Sequence, residues 1–99
     1  RKNNMIKVTA VGRLVKDASV FTYGDGKTGI NFSLACNIQG REEPVFINCT
    51  QWGRDENTAQ YLLMGNQIIV HGDLDISAND GNYYTKINVK EWEFGARKQ

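Results

Sequence analysis

Two large aromatic side chains lie on the face of a predicted strand that should meet water. Residues 45–52 alternate strictly between two faces, as a half-buried strand does. Phe46 and Trp52 share one face with the polar Asn48 and Thr50. Aromatic groups exposed in this way mark a contact surface, or else a helix or a second subunit covers them. The opposite, apolar face consists of Val45, Ile47 and Cys49.

Basic side chains flank this aromatic face and indicate what it contacts. Arg54 follows Trp52, and further basic residues share the outer faces of the first and last predicted strands. An aromatic ring stacks on any base, which contributes about 1–3 kcal/mol per base in single-strand binding proteins, and cations neutralise phosphates. Each cation taken alone is equally consistent with a solvated surface charge. The sequence therefore predicts a surface for single-stranded nucleic acid formed by Phe46, Trp52, Asn48, Arg54, Lys7, Arg13, Tyr84 and Lys86.

The sequence offers only weak candidates for catalysis. Residues 24–28 end like a phosphate-binding P-loop, but Phe21 replaces the first glycine of that motif, and a strand follows where a helix is needed. Asp73 and Asp75 share a strand face without a third carboxylate or an acid–base partner. The two cysteines and the one histidine lack the spacing of metal ligands. We expect no enzyme activity, no metal site and no cofactor.

The composition is that of one globular domain. The chain has 99 residues, of which 40% are hydrophobic and 23% charged, enough for one modest core. Its net charge is +1, so binding to a polyanion must depend on where the basic residues lie. Cys36 and Cys49 fall on apolar strand faces, which predicts buried thiols in a reducing cytosol rather than a disulfide. With no apolar run of about 20 residues and no apolar signal segment, we expect a cytoplasmic protein without a membrane partner.

Alternating patterns predict five strands and one short helix. The strands are expected at 5–15, 29–38, 45–53, 67–76 and 83–89, and the helix near 55–65. Residues 16–29 form a glycine-containing connector, which is either a long loop or a β-ribbon. The predicted core-facing positions outside the third strand are Ile6, Val8, Ala10, Leu14, Ile30, Phe32, Leu34, Cys36, Ile38, Ile68, Val70, Leu74, Ile76, Ile87 and Val89.

Several residues predict where these elements begin and end. Asp55 or its neighbour can cap the helix, and Gly65 suits the left-handed residue that closes it. The Asn-Asp-Gly-Asn run at 79–82 predicts a tight hairpin turn. The two aromatic residues after Glu91 break the alternation of the last strand, which predicts a bulge near that residue. The predicted apolar stripe of the helix is Ala59, Leu62 and Leu63.

The order of three strands, one helix and two strands is that of an OB-fold. Gly12 and Gly72 fall on the core faces of the first and fourth strands, where a small barrel must bend sharply. We therefore predict an all-β, five-stranded OB-fold barrel with one short helix between strands 3 and 4. We expect one domain over residues 1–99, with its core at about 5–94.

Five segments resemble, in the same order, those of the bacterial-type single-stranded DNA-binding proteins of replication. The segments are 11–17, 31–37, 46–54, 59–65 and 70–74. Each alone is weak evidence, but all five in order are specific and extend the resemblance over residues 5–94. The resemblance implies that the aromatic positions matching Phe46 and Trp52 stack on bases. It also implies that the positions matching Lys7 and Arg54 approach phosphates.

The resemblance further implies a role and an assembly. Proteins of this family coat single-stranded DNA, with little sequence preference, in replication, recombination and repair. They form homo-oligomers, more often tetramers than dimers, with first strands at the dimer interface, and they contact replication or recombination proteins. The short turn at 39–44 and the lack of an acidic C-terminal tail are typical of compact phage- or plasmid-encoded members, or of a shortened chain. The alternative is an OB-fold accessory protein of the primosome kind that acts mainly through protein–protein contacts.

Overall fold

The computed structural model describes residues 5–95 as six strands and one short helix. The strands carry β-branched or aromatic residues at about every second position, which suits a pleated and half-buried surface. The elements are β1 (Lys7–Leu14), β2 (Ser19–Tyr23), β3 (Lys27–Cys36), β4 (Val45–Trp52), α1 (Glu56–Ala59), β5 (Gln67–Asn79) and β6 (Asn82–Phe94).

Five of these strands close into a ring. The strand order is β1-β5-β6-β4-β3-β2, and β1 also pairs with β3 where Arg13 meets Ala35 and Leu14 meets Leu34. The pairing of β4 with β6 is parallel, and the other pairings are antiparallel. With α1 between β4 and β5, this is the predicted OB-fold arrangement. The fold prediction is confirmed.

The sixth strand, β2, occupies the connector that the sequence left open as a loop or a ribbon. It pairs antiparallel with the first half of β3 over its whole length. Because β4 holds the other edge of β3, β1 and β2 lie along successive stretches of one edge. The connector is therefore a ribbon, and it extends the sheet beyond the ring.

The ring surrounds one apolar core, and most of its members were predicted to face inward. Leu62 joins this core from the turn after α1, and the partly buried Ile47 packs against it from β4. Burying one such side chain contributes about 1.5–3 kcal/mol. The largest fully buried side chains are Ile30, Leu34, Leu62, Ile68, Ile87, Val70 and Cys49.

A bulge in β6 returns the last aromatic residues of the sheet to the core side. The pairing of β5 with β6 shifts between His71 and Gly72, which makes Lys90 the extra residue of β6. One extra residue reverses the alternation of the side chains that follow. Trp92 and Phe94 consequently pack against the core. The predicted bulge is confirmed within one residue of its expected position.

Four residues predicted to face the core are exposed instead. Leu63 is 45% exposed because α1 is only four residues long, so that the helical stripe ends before it. Ile76 is 51% exposed because β1 pairs with β5 only over residues 67–73, and the chain beyond is an arm of β5 and β6 alone. Ile6 and Ile38 lie just outside β1 and β3. The alternation of the strands is as predicted, but Ile6, Ile38 and Ile76 lie beyond the parts of the strands that form the closed ring.

The predicted helix cap and the predicted hairpin turn are in place, whereas the predicted end of the helix is not. The Oδ1 atom of Asp55 accepts a hydrogen bond of 3.0 Å from the backbone N–H of Asn57, as a helix cap does. Gly65 has a left-handed φ of 90°, but the prediction that it closes the helix is wrong, because α1 ends at Ala59 and its C-cap is Gln60 in the right-handed region. Asp80 and Gly81 have φ of 54° and 80°, which is the two-residue turn predicted for the β5–β6 hairpin.

The two cysteines are free thiols, as the sequence predicts. Cys49 is buried in the core, and Cys36 is half-buried beside it. Burial, with a smaller contribution from Cys36, raises the pKa of the Cys49 thiol to about 12. Burial also raises the pKa of Cys36. Protonated thiols are poor nucleophiles, so both residues act as small apolar groups at neutral pH.

Adjacent leucines allow a matched test of the core. Leu62 is fully buried, whereas Leu63 is largely exposed. We expect Leu62→Ala to lower the free energy of unfolding by about 2–5 kcal/mol, because it leaves a cavity. We expect Leu63→Ala to change it by less than about 0.5 kcal/mol. Urea unfolding followed by circular dichroism measures both, and equal losses would contradict this description of the core.

Cys49 makes the stability depend on alkaline pH. In the unfolded chain its thiol ionises near the ordinary pKa of about 8.5, whereas in the folded chain it stays protonated up to about pH 12. Between these values the unfolded state binds fewer protons, so the free energy of unfolding falls as the pH rises. Urea unfolding at several pH values above about 8.5 should show this component, at up to about 1.4 kcal/mol per pH unit. It should be missing from Cys49→Ala, and the same slope in that variant would refute the assignment.

Candidate nucleic-acid interface

Trp52 lies at the end of β4, where its ring is exposed to solvent and is also fixed by contacts with neighbouring side chains. The side chain is 47% exposed. Its indole Nε1–H donates a hydrogen bond of 3.2 Å to Oδ1 of Asn88 on β6. The ammonium of Lys86, on the same strand, lies 5.7 Å from the centre of the ring, within the range of a cation–π contact.

Two further aromatic rings pack edge-to-face against Trp52. The ring centre of Phe21 lies 5.4 Å from that of Trp52 at an interplanar angle of 86°, and that of Tyr23 lies 4.8 Å away at 85°. Both belong to β2, which the sequence analysis treated as a connector without site residues. Their spacing of two residues, just before a glycine turn, is a hairpin signal that would have revealed them.

Phe46 lies at the opposite end of the same strand face. It is 63% exposed, and its cross-strand neighbour on β3 is the small Ala35. Trp52 lies six positions further along the strand, which corresponds to about 20 Å. The predicted exposure of both rings is confirmed, since within residues 5–95 no helix or strand buries either one, although β2 and β6 contact part of Trp52.

A polar groove runs between the two rings. Oγ of Ser33 donates a hydrogen bond of 2.7 Å to Oδ1 of Asn48, and Oγ1 of Thr50 donates one of 2.8 Å to Oδ1 of Asn31. Thr50 is buried by its neighbours and forms part of the floor, whereas Asn48 is exposed. The groove is lined mainly by Lys16, Ser19, Asn31, Ser33, Asn48 and Thr50.

Lys16 is a groove residue that the sequence analysis missed. It follows β1, and the backbone N–H of the preceding Val15 donates a hydrogen bond to the carbonyl oxygen of Ser33. That bond brings the start of the β1–β2 connector to the groove. No local pattern distinguishes Lys16 from other surface lysines, so its place depends on the pairing of β1 with β3.

The strand β6 borders the groove on the other side of β4. Its parallel pairing places Lys86 beside Asn48 and Asn88 beside Thr50. Tyr84, two residues before Lys86, has its side chain on the same strand face and is exposed. Together, the outer faces of β3, β4 and β6 form a surface that we call the platform, made of Asn31, Ser33, Phe46, Asn48, Thr50, Trp52, Tyr84, Lys86 and Asn88.

The structure does not bring every predicted basic residue to the platform. Nζ of Lys7 lies 3.0 Å from Oδ1 of Asp73, an ion pair without hydrogen-bond alignment, and Lys90 lies 4.0 Å from the other oxygen of that carboxylate. The guanidinium of Arg13 donates a hydrogen bond of 2.8 Å to the carbonyl oxygen of Gly65. Arg54 is exposed two residues beyond Trp52. Of the predicted cations, Lys86 alone contacts a platform ring in the part of the chain described.

The described residues offer no arrangement for metal chemistry. Over residues 5–95, no group of three or more His, Cys, Asp or Glu side chains is placed to hold a metal ion. None of the described helical segments is long and apolar enough to cross a membrane.

Comparison with known proteins identifies the family. Residues 5–94 match the model of the single-strand binding protein family. The chain belongs to that family. It is 37% identical over 98 residues to the single-stranded DNA-binding protein of Clostridium perfringens, and this match covers 91% of the chain and 65% of that protein. It is 35% identical over 91 residues to the protein of the same name from Halalkalibacterium halodurans, covering 86% of the chain and 54% of that protein. The chain thus spans less than two thirds of the length of either relative.

Solved structures support the fold of this family member. The crystal structure of a small single-stranded DNA-binding protein from Streptomyces coelicolor superposes with a TM-score of 0.74 at 17% identity, and covers 93% of the chain and 94% of that protein. A deletion mutant of the single-stranded DNA binding protein from Thermus aquaticus superposes with a TM-score of 0.75 at 20% identity, and covers 94% of the chain and 42% of that protein. At such identities the likeness establishes the fold and leaves the function to the site.

Proposed function

We propose that this chain is a non-catalytic protein that binds single-stranded DNA with little sequence preference and coats it during replication, recombination and repair. The observation that carries the proposal is the pair of exposed rings, Phe46 and Trp52, at the two ends of one strand face with a polar groove between them. Membership of the single-strand binding protein family and the names of the related proteins support it.

In this mode of binding, stacking on the rings contributes most of the affinity, and the basic side chains determine where the DNA backbone runs. Bases stack on Phe46 and Trp52, at about 1–3 kcal/mol per base. The phosphates pass between basic groups on either side of β4, with Lys16 bordering the groove from one side and Lys86 from the other. Arg54 continues the basic border beyond Trp52.

Lys7 and Arg13 take a smaller part in this proposal than the sequence predicted for them. The charge of Lys7 is partly balanced by Asp73, and the guanidinium of Arg13 already donates to a backbone carbonyl. A phosphate must compete with these internal partners, so each such contact contributes less. Because the turn at 39–44 is short and carries no aromatic residue, strand β4 carries a large share of the binding.

The proposed active form is a homo-oligomer, a tetramer rather than a dimer. The support is the free edge of β1, since in the described residues β1 pairs with β3 only at Arg13 and Leu14, while β5 holds its other edge. A free strand edge is a template for pairing with another chain, which agrees with first strands meeting at a dimer interface.

We also place the protein in the cytoplasm, where it meets replication or recombination proteins. The primosome-type alternative is not favoured, because the related proteins are named single-stranded DNA-binding proteins.

Single aromatic substitutions test the stacking. We expect Trp52→Ala and Phe46→Ala each to weaken binding to oligo(dT) by about 1–3 kcal/mol, because each removes a stacked base contact. The matched control is Tyr61→Ala, since Tyr61 is 53% exposed but lies after α1, outside the platform. Fluorescence anisotropy of a labelled oligonucleotide measures the affinities.

The control makes the outcome decisive. Circular dichroism should show the same folded spectrum for all three variants. If Trp52→Ala and Phe46→Ala bound as tightly as the unmodified protein, the platform would not be the DNA site. If Tyr61→Ala lost as much affinity as they did, the effect would not be specific to the platform.

Salt dependence tests the contact of Lys86 with phosphate. The logarithm of the affinity should fall linearly with the logarithm of the salt concentration, at about −0.7 per phosphate neutralised. We expect Lys86→Met to make this slope shallower by about 0.7, and Lys86→Arg, which keeps the charge, to leave it unchanged. A slope that is the same in all three proteins would remove Lys86 from the phosphate path.

A further inference from the structure

Residues of three neighbouring strands lie in one row that ends at Trp52. Phe21 on β2 pairs with Gly29 on β3, and Gly29 pairs with Trp52 on β4. Strands lie about 4.8 Å apart, so the backbones of Phe21 and Trp52 are separated by about 9.6 Å. Their ring centres are only 5.4 Å apart. The two side chains therefore lean towards each other over Gly29.

Gly29 leaves the space in which the ring of Phe21 lies. A Cβ atom at Gly29 would be 2.7 Å from Cζ and 2.9 Å from Cε1 of Phe21. Real Cβ atoms do not approach a ring so closely, so any other residue would force the ring of Phe21 to shift from its present place beside Trp52. Since φ of Gly29 is not positive, the requirement for glycine here comes from this side-chain contact and not from the backbone turn.

The same ring is held on its other side by β6. Asn88 accepts the hydrogen bond of the indole N–H, and Lys86 lies over the ring. Trp52 nevertheless remains 47% exposed, whereas Phe21 and Tyr23 are more buried than it. A ring fixed by its neighbours but open to solvent is ready to receive a base without first losing rotamer freedom. That loss costs about 0.5–1.5 kcal/mol when a free side chain is immobilised on binding, which corresponds to roughly 2- to 12-fold in affinity.

We propose that Phe21 and Tyr23 are positioning residues that hold Trp52 in the orientation in which a base stacks on it, and that Gly29 exists to admit the ring of Phe21. The inference rests on the proposed function, since it concerns how one DNA-contacting ring is prepared. Phe21 and Tyr23 act through Trp52, and the base contacts Trp52 itself. The turn at 39–44 is short and carries no aromatic residue, which makes such preparation valuable because few other rings share the binding.

A double-mutant cycle between Phe21 and Trp52 tests the proposal. We expect Phe21→Leu to weaken binding to oligo(dT) by roughly 2- to 12-fold, the cost of immobilising one free side chain on binding. In the background of Trp52→Ala the same substitution should have no further effect, because nothing remains to be positioned. Gly29→Ala should cause a comparable loss in the native background. Thr22→Ala, on the opposite face of β2, is the matched control and should bind normally.

A second readout follows the ring without DNA. In the Trp92→Phe background, Trp52 is the only tryptophan. Its emission anisotropy in the free protein should fall when Phe21→Leu is added, because the indole gains mobility, and it should not fall with Thr22→Ala. A merely structural role of β2 would leave this local mobility unchanged in a folded variant.

The outcomes separate this proposal from the proposed function. If Phe21→Leu leaves affinity and anisotropy unchanged while Trp52→Ala weakens binding, the positioning role is wrong and DNA binding by Trp52 stands. If Phe21→Leu weakens binding equally with and without Trp52, Phe21 contacts DNA or supports the fold, and the positioning role is again wrong. If Trp52→Ala has no effect, no base stacks on Trp52 and the positioning role is wrong, whereas the proposed function fails only if Phe46→Ala also has no effect.

Discussion

The closure of the sheet where β1 meets β3 is the constraint on which the rest of the structure depends. A Cβ atom at Gly12 would lie 2.7 Å from the carbonyl oxygen of Ala35 and 2.8 Å from Sγ of Cys36, so a larger residue would force the two strands apart. Once the ring is closed, alternate residues of its strands face a dry interior and the others face outward. Phe46 and Trp52 are thereby placed outside, since burying both faces of β4 would require a further layer of structure.

Much of the fold could be predicted because it follows from local patterns. The alternation of each strand marks its inner residues, and the break before Trp92 and Phe94 marks a bulge. The wrong predictions of burial have a different cause. Leu63 and Ile76 carry apolar side chains in the expected phase, but whether a position is covered depends on how far the neighbouring elements extend. The length of α1 and the end of the β1–β5 pairing are results of packing that no short window of sequence contains.

The residues of the candidate site also fall into two groups, those that a local pattern reveals and those that depend on how the strands pair. Phe46 and Trp52 could be found from one strand, because large aromatic residues on a polar face stand out in any alternating pattern. The significance of Phe21 comes from Gly29 and from the register that places Gly29 between two rings. The basic residues show the same dependence. Lys7 and Lys86 look alike in the sequence, but the register of β1 against β5 places Lys7 beside Asp73, and that of β6 against β4 places Lys86 beside Asn48.

The polar groups of the platform are consistent with the proposed binding of bases without sequence preference. Three hydrogen bonds already link its side chains in pairs, from Ser33 to Asn48, from Thr50 to Asn31 and from Trp52 to Asn88. Polar groups with partners inside the protein make little demand on the hydrogen-bonding edge of a ligand, since an unsatisfied group would penalise every base that failed to match it. Besides the amide NH2 groups of these asparagines, the groups left to attract a ligand are ring faces and cations. Every nucleotide offers both a π-face and a phosphate, so this arrangement favours tolerance of sequence over recognition of it.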